Sequence, residues 1–205
     1  MRLAAPVALA ALVAAAAPAS AVIIQGTELP QYTPVTNQLA LSHGATFSST
    51  MPFVTFGTNG VNTVGIYGTD PSFPPLASYA AYYAPIEITF VSMVDGVTPA
   101  VVNGTVNGVF GDGGGDLDGI RIRAFDVSNN LLATSYGLGN TWTPISITAT
   151  GIRTLIFDQS GFGAGTSDTF LDWIDYSAPV PVPAPGAGAA AVMGAVLAMG
   201  RRRRV

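Results

Sequence analysis

Apolar residues recur at every second position through much of the second half of the chain. Ile86, Ile88 and Phe90 alternate with Glu87 and Thr89, Ile120 and Ile122 with Arg121 and Arg123, and Ile145 and Ile147 with Ser146 and Thr148. A period of two with one polar side predicts antiparallel strands buried on one face. Leu155-Ile156-Phe157 is apolar on both sides, which predicts a strand at the centre of a sheet, and Asn129-Asn130 is placed to turn a hairpin between the Ile120 and Leu131 strands. In a last strand, Thr169 to Tyr176, alternation sets Phe170, Ile174 and Tyr176 on one face and Leu171, Trp173 and Asp175 on the other.

The first half is shorter-grained. Val22-Ile23-Ile24 starts a first strand, and Glu28 to Gln38, with two prolines and several polar residues, reads as loop. Phe53 to Phe56 and Val61 to Tyr67 form a predicted hairpin about Gly57-Thr58-Asn59-Gly60, because Asn-Gly tolerates the positive φ of a tight turn. Asp70 to Pro85 carries four prolines, which exclude a central strand. No ten-residue stretch between Val22 and Ala178 has helical periodicity. The expectation is therefore all-β: an antiparallel two-sheet sandwich of jelly-roll type, with an N-terminal signal helix before it and a C-terminal hydrophobic helix after it.

Both ends depart from that pattern. Met1 to Ala21 has Arg2, an apolar run from Leu3 to Ala17 and the small-residue site Ala19-Ser20-Ala21, the three parts of a secretory signal, which predicts cleavage after Ala21. The alternative, a retained membrane helix, requires about 20 apolar residues, more than this run supplies before Pro18. Residues 179–205 place VPVPAP, an Ala/Gly-rich apolar segment and Arg201 to Arg204 in series. The prolines lack N–H groups, so this stretch is expected to act as a spacer outside any helix or sheet ladder. Gly186 to Gly200 would be about 22 Å long as a helix, short of the ~30 Å hydrocarbon core. The arginines would hold its far end on the cytoplasmic side. The division is 1–21, 22–178 and 179–205.

Removing the ends changes the charge. The whole chain carries −4, but between Val22 and Ala178 twelve acidic residues face only Arg121, Arg123 and Arg153, a net −9. A surface that acidic excludes nucleic acid as a partner. The chain has no cysteine, so neither disulfides nor thiolate metal sites contribute.

Candidate chemistry is sparse. His43 is the single histidine, no acid is near it in sequence, and no G-x-S-x-G motif occurs, so it reads as a surface or turn residue. Glu28 and Glu87 are the only glutamates and would have to be the pair of a glycoside hydrolase, the least favoured reading. In Gly111 to Gly119, Asp112, Asp116 and Asp118 are spaced by glycines as a calcium loop would need, although no glutamate closes it; the plain reading is a solvated turn. Asp168, Asp172 and Asp175 read as charge guarding an edge strand. Phe73, Tyr79, Tyr82 and Tyr83 lie in the proline-stiffened loop, where they would either stack on a sugar or cap the sandwich.

Val180-Pro181-Val182-Pro183-Ala184, the apolar segment and Arg201, Arg202, Arg203 and Arg204 together resemble the PEP-CTERM sorting signal of exported proteins in Gram-negative bacteria, in its Val-Pro-x-Pro-Ala variant. The resemblance implies a transient inner-membrane anchor processed by an exosortase, delivery to the cell surface or matrix, and an association with exopolysaccharide and biofilm. Asp118 to Asp126 followed by Asn130 to Ser135, and Phe170 to Tyr176, are similar to the hairpin and closing strand of many ectodomains of that class. Those ectodomains look like galactose-binding-type jelly rolls, some of which hold a structural calcium and bind sugars at loop ends. The expected function is a non-enzymatic, exported surface or matrix protein; the alternative is a carbohydrate-binding module with a structural calcium.

Overall fold

The computed structural model describes residues 20–26, 28–29, 34–49, 53–58, 64–69, 85–111, 118–139, 143–159 and 170–183. The described residues form β1 (Ala21–Gln25), β2 (Pro34–Val35), the one-turn α1 (Ala40–His43), β3 (Ala45–Ser49), β4 (Phe53–Thr58), β5 (Val64–Thr69) and β6 (Ile86–Phe90). They continue with β7 (Ala100–Gly111), β8 (Asp118–Phe125), β9 (Leu131–Gly139), β10 (Thr143–Ile152), β11 (Thr154–Gln159), β12 (Phe170–Ser177) and β13 (Val180–Pro181). One sheet runs β10-β7-β12-β5-β4-β2, with β1 added to β12 and β13 to β7; the other runs β3-β6-β11-β8-β9. Every named pairing is antiparallel, and from β5 to β12 the chain crosses between the sheets at every connection except the β8–β9 hairpin, which makes the two-sheet sandwich a jelly roll.

The alternating residues go where their period sends them. Ile86, Ile88 and Phe90 from β6, Ile122 from β8 and Leu155 and Phe157 from β11 meet Val102, Ile147, Ile174 and Tyr176 of the opposite sheet, all buried. Burying one such side chain is worth about 1.5–3 kcal/mol, so this shared layer holds the two sheets together. The Phe90 and Tyr176 rings meet tilted at 55°, with centroids 4.8 Å apart. β11 lies at the centre of its sheet, as its apolar run predicts. The β8–β9 hairpin turns through Asn129 at φ 62°, with the Asp126 carboxylate accepting the N–H groups of Ser128 and Asn130 at 2.8 Å each. Bonds from Asn130 first, then from the Ser128 N–H, hold that carboxyl below its usual range.

Four sequence expectations are corrected. Simple alternation fails in β12, because Leu171 faces Phe110 while Trp173 faces Val109, leaving Asp172 as the extra residue of a β-bulge. The bulge flips the parity, so Leu171 joins Ile174 and Tyr176 inside, and the Asp172 carbonyl is taken by the Gly26 N–H at 2.7 Å. Nor is β12 an edge: β7 flanks it on one side and β1 and β5 on the other, so Asp172 and Asp175 guard no edge. Burial raises the Asp172 pKa, and Asp175 accepts from Asn107 at 2.7 Å. In the β4–β5 hairpin the ladder extends through Gly57 and Thr58, which face Gly65 and Val64, so β4 ends later and β5 begins later than the turn signal suggests. The Glu28–Gln38 loop contains the short β2, which pairs with Thr55 and Val54 of β4.

A fifth correction concerns the proline spacer. Val180 and Pro181 pair with Val101 and Ala100 of β7, and the Val182 N–H donates to the Pro99 carbonyl at 2.8 Å. Proline forbids donation, not acceptance, so a segment with proline at alternate positions can still use its valine N–H groups at a sheet edge. Pro179 is buried beside Gly44, where a Cβ would lie 2.8 Å from Pro179 Cγ. Gly44 closes α1 at φ 67°, a conformation glycine adopts without strain, so both its backbone and its missing side chain make room for Pro179.

The strand registers define two poles. Gly111 faces Phe170, Phe110 faces Thr143, Asp118 faces Gly139 and Ile120 faces Gln159, so these strand ends lie together. Ala21 faces Ser177 and Val180 faces Val101 at the other end, where the Ala178 N–H also donates to the Ser20 carbonyl at 2.9 Å. The twelve residues of β7 run from one pole to the other, roughly 36 Å at the strand rise.

Candidate functional site

The candidate residues fall unevenly on this frame. Phe73, Tyr79, Tyr82 and Tyr83, as well as Asp112, Asp116 and Asp168, lie outside the described residues. Their segments begin and end at the same pole: 70–84 between β5 and β6, 112–117 between β7 and β8, and 160–169 between β11 and β12. Asp118 opens β8 opposite Gly139. Among the described residues no group of three or more His, Asp or Glu is placed to hold a metal. Ala19, Ala184 and Arg201 to Arg204 also lie outside the described residues, and Ala21 is the first residue of β1. Among the described residues no helix is long and apolar enough to cross a membrane.

His43 has an acid beside it after all. Glu28 Oε2 stands 3.0 Å from Nε2, Ser42 Oγ stands 2.7 Å from Nδ1, and the Tyr176 hydroxyl donates to the His43 carbonyl at 2.9 Å. The pairing is invisible in sequence because it brings the turn after β1 against α1. A serine, a histidine and a carboxylate stand in line, but the amides that follow the serine offer no oxyanion site. The two N–H groups that follow Ser42 are spent on the Leu39 and Ala40 carbonyls, so neither can stabilise a developing oxyanion. The cluster instead fastens α1 over the Tyr176 end of the core. Glu87 is remote in the architecture, on the outward side of β6 between Ser48 of β3 and Ile156 of β11.

Burial raises the Tyr176 pKa far above its ordinary value of about 10, with the Glu28 charge adding to it. The unfolded tyrosine loses its proton near pH 10 while the folded one keeps it. Stability is therefore full below pH 10 and falls as pH rises beyond it, by about 1.4 kcal/mol per pH unit. Tyr176→Phe should remove that alkaline slope and cost about 1 kcal/mol at neutral pH for the lost hydrogen bond. Urea unfolding of both proteins between pH 8 and 12 measures the two effects.

The densest polar constellation lies on the outward face of β8, β9 and β11. Arg121 of β8 faces Tyr136 of β9 on one side and Asp158 of β11 on the other. Arg121 donates through Nε to Asp158 Oδ1 at 2.8 Å and through NH2 to Oδ2 at 2.8 Å, a two-pronged pairing, and Arg123 NH2 reaches Oδ2 at 2.6 Å. The Asp158 bonds, and after them the Tyr136 hydroxyl, raise the Arg121 pKa against the opposing effect of burial. Arg123 also sits over the Phe125 ring, 5.7 Å from its centroid. In the adjoining row Thr134, Arg123, Ile156, Glu87 and Ser48 stand side by side.

Asp158 is one of two buried polar residues among those described, whereas Tyr136 is 62% exposed. The result is a sheet face that exposes one ring beside a guanidinium pair held by a buried carboxylate. Sequence reasoning took Arg121 and Arg123 only as the polar side of a strand. The available signal was that two of the three arginines between Val22 and Ala178 share one strand face, a cluster that calls for a carboxylate partner in this acidic stretch. Arg153, in the β10–β11 turn, has a buried NH1 without a hydrogen-bond partner, and burial lowers its pKa.

No family model and no curated protein matches the chain. Among solved structures it is similar to the carbohydrate-binding module CsCBM6-3 from Clostridium stercorarium in complex with cellobiose, at 14% identity over 76% of this chain and 92% of that one, TM-score 0.35. It is also similar to the Arthrobacter globiformis T6 isomalto-dextranase complexed with panose, at 13% identity over 77% of this chain and 32% of that one, TM-score 0.33. A DUF4465 family protein from Bacteroides caccae aligns at 11% identity over 82% of this chain and 94% of that one, TM-score 0.31.

Proposed function

We propose that this is a non-enzymatic, exported surface or matrix protein whose β-sandwich binds neutral polysaccharide on the face formed by Tyr136, Arg121, Arg123 and Asp158. The observation that carries the binding reading is the exposed Tyr136 ring, set in register beside the ion-paired Arg121 on paired strands. A sugar ring presents C–H groups to an aromatic face while its hydroxyls need donors and acceptors of fixed direction. Arg121 and Arg123, each 30% exposed, keep guanidinium N–H groups beyond those spent on Asp158, Glu87 adds a carboxylate, and strands hold such groups more tightly than loops. Both arginines on this face are committed to Asp158, and residues 22–178 carry −9, so a polyanion gains little there and is repelled.

The sorting half of the reading rests on the order of parts in the sequence: the signal at Met1 to Ala21, and the Val180 to Ala184 motif, apolar segment and Arg201 to Arg204. In this reading an exosortase at the inner membrane of a Gram-negative cell removes the tail and releases the sandwich outward to exopolysaccharide. Calcium at Asp112, Asp116 and Asp118 would stiffen the pole beside the binding face.

Isothermal titration with a neutral glucan, a polyuronate and calcium chloride tests the binding reading. Heat is expected from the glucan and not from the polyuronate; heat from neither polysaccharide overturns it. Loss of the size change when the sorting protease is deleted tests the other half.

A further inference from the structure

We propose that the sandwich clamps its own sorting motif, so that the motif must peel from β7 before a processing enzyme can read it; this rests on the sorting reading above. The clamp has three parts. Val180 and Pro181 pair with Val101 and Ala100, the Val182 N–H is bonded to the Pro99 carbonyl at 2.8 Å, and Pro179 is buried against Gly44.

Backbone chemistry makes this arrangement exclusive. Peptidases and transpeptidases recognise an extended segment largely by adding it as a strand to their own edge, using its main-chain N–H and C=O groups. In Val180-Pro181-Val182-Pro183 the prolines carry no N–H, so Val180 and Val182 hold the only donors. The Val182 donor is already engaged by Pro99, and Val180 is paired in the same ladder. The motif cannot offer that donor to an enzyme and to β7 at once. Cleavage is thereby coupled to opening of a two-residue strand, a local event that leaves the core intact.

Val182 is the sole amide between Pro181 and Pro183, which makes it a clean reporter. In the full chain held in detergent, its hydrogen exchange is expected to be at least tenfold slower than in a free peptide of residues 178–185. Pro179→Asp, which changes no motif residue, should abolish that protection, with Pro179→Ser as a milder variant should the first fail to fold. In cells that contain the sorting protease, both variants should lose the tail faster than the wild type. Exchange at the free-peptide rate in the wild type overturns the proposal, as does equal processing of all three proteins. If none of the three is processed while Val182 stays protected, the clamp stands and the sorting reading falls.

Discussion

Asp158→Ala is expected to lower the unfolding free energy by about 2–3 kcal/mol and, in the same protein, to weaken polysaccharide binding at least tenfold. Removing one member of a buried ion pair costs about 3–5 kcal/mol, because the partner is left charged and desolvated. The lower figure applies here, since the two guanidiniums retain 30% side-chain exposure and water can reclaim part of their charge, while the carboxylate itself is only 11% exposed. For a sandwich of this size that loss corresponds to about 5–10 °C in melting temperature. Binding suffers separately, since Arg121 and Arg123 lose the carboxylate that fixes them beside Tyr136. Asp158→Asn keeps the volume and one acceptor, and should recover part of the stability but not the two-pronged geometry. Thermal unfolding and glucan titration of the two variants decide it. An unchanged melting temperature for Asp158→Ala would mean that the arginines do not depend on it.

Tyr136→Ala is expected to do the reverse: to abolish measurable glucan binding while shifting stability by less than about 0.5 kcal/mol. Exposed positions outside a packed core seldom cost more than that, and this ring is 62% exposed on an edge strand. Stacking of a sugar on an aromatic face is the term lost, and at about 1–2 kcal/mol it accounts for roughly five- to thirtyfold in affinity. Tyr136→Phe separates ring from hydroxyl: it should retain stacking and lose only what the hydroxyl contributes. Retained affinity in Tyr136→Ala would place the ligand elsewhere, and the pole where 70–84 and 112–117 meet the sandwich would be the next surface to test.

The contrast between these variants follows what the sequence could and could not reveal. Strands β6, β8, β10 and β11 were legible because each buries one face, or both, and a period of two is the direct imprint of that burial. The Asn129 turn was legible because its positive φ is a local demand. Asp158 was not, because its role depends on β11 pairing with β8, a contact 37 residues away that no local pattern encodes. The same holds for Glu28, which becomes the partner of His43 only once β1 and α1 are in place. In β12 a single bulged residue inverted the parity on which alternation relies. For the sorting motif, the rule that proline leaves ladders was applied to the whole segment, whereas it governs only the residues without an N–H.

The arrangement at the tail pole also sets how the protein would carry load. Before the tail is removed, a chain tethered through residues beyond Val182 and held near the opposite pole would be pulled along the length of β7 and β12. Tension reaches β13 first, and because only two of its residues pair with β7 it yields at little force and lengthens the tether. It then arrives at Ser177, the end of β12, whose bonds to β7 and β1 lie across the pull and must all be sheared together. The weak clasp yields before the strong ladder is strained, so the outermost two-residue strand serves as a mechanical fuse for the sandwich behind it.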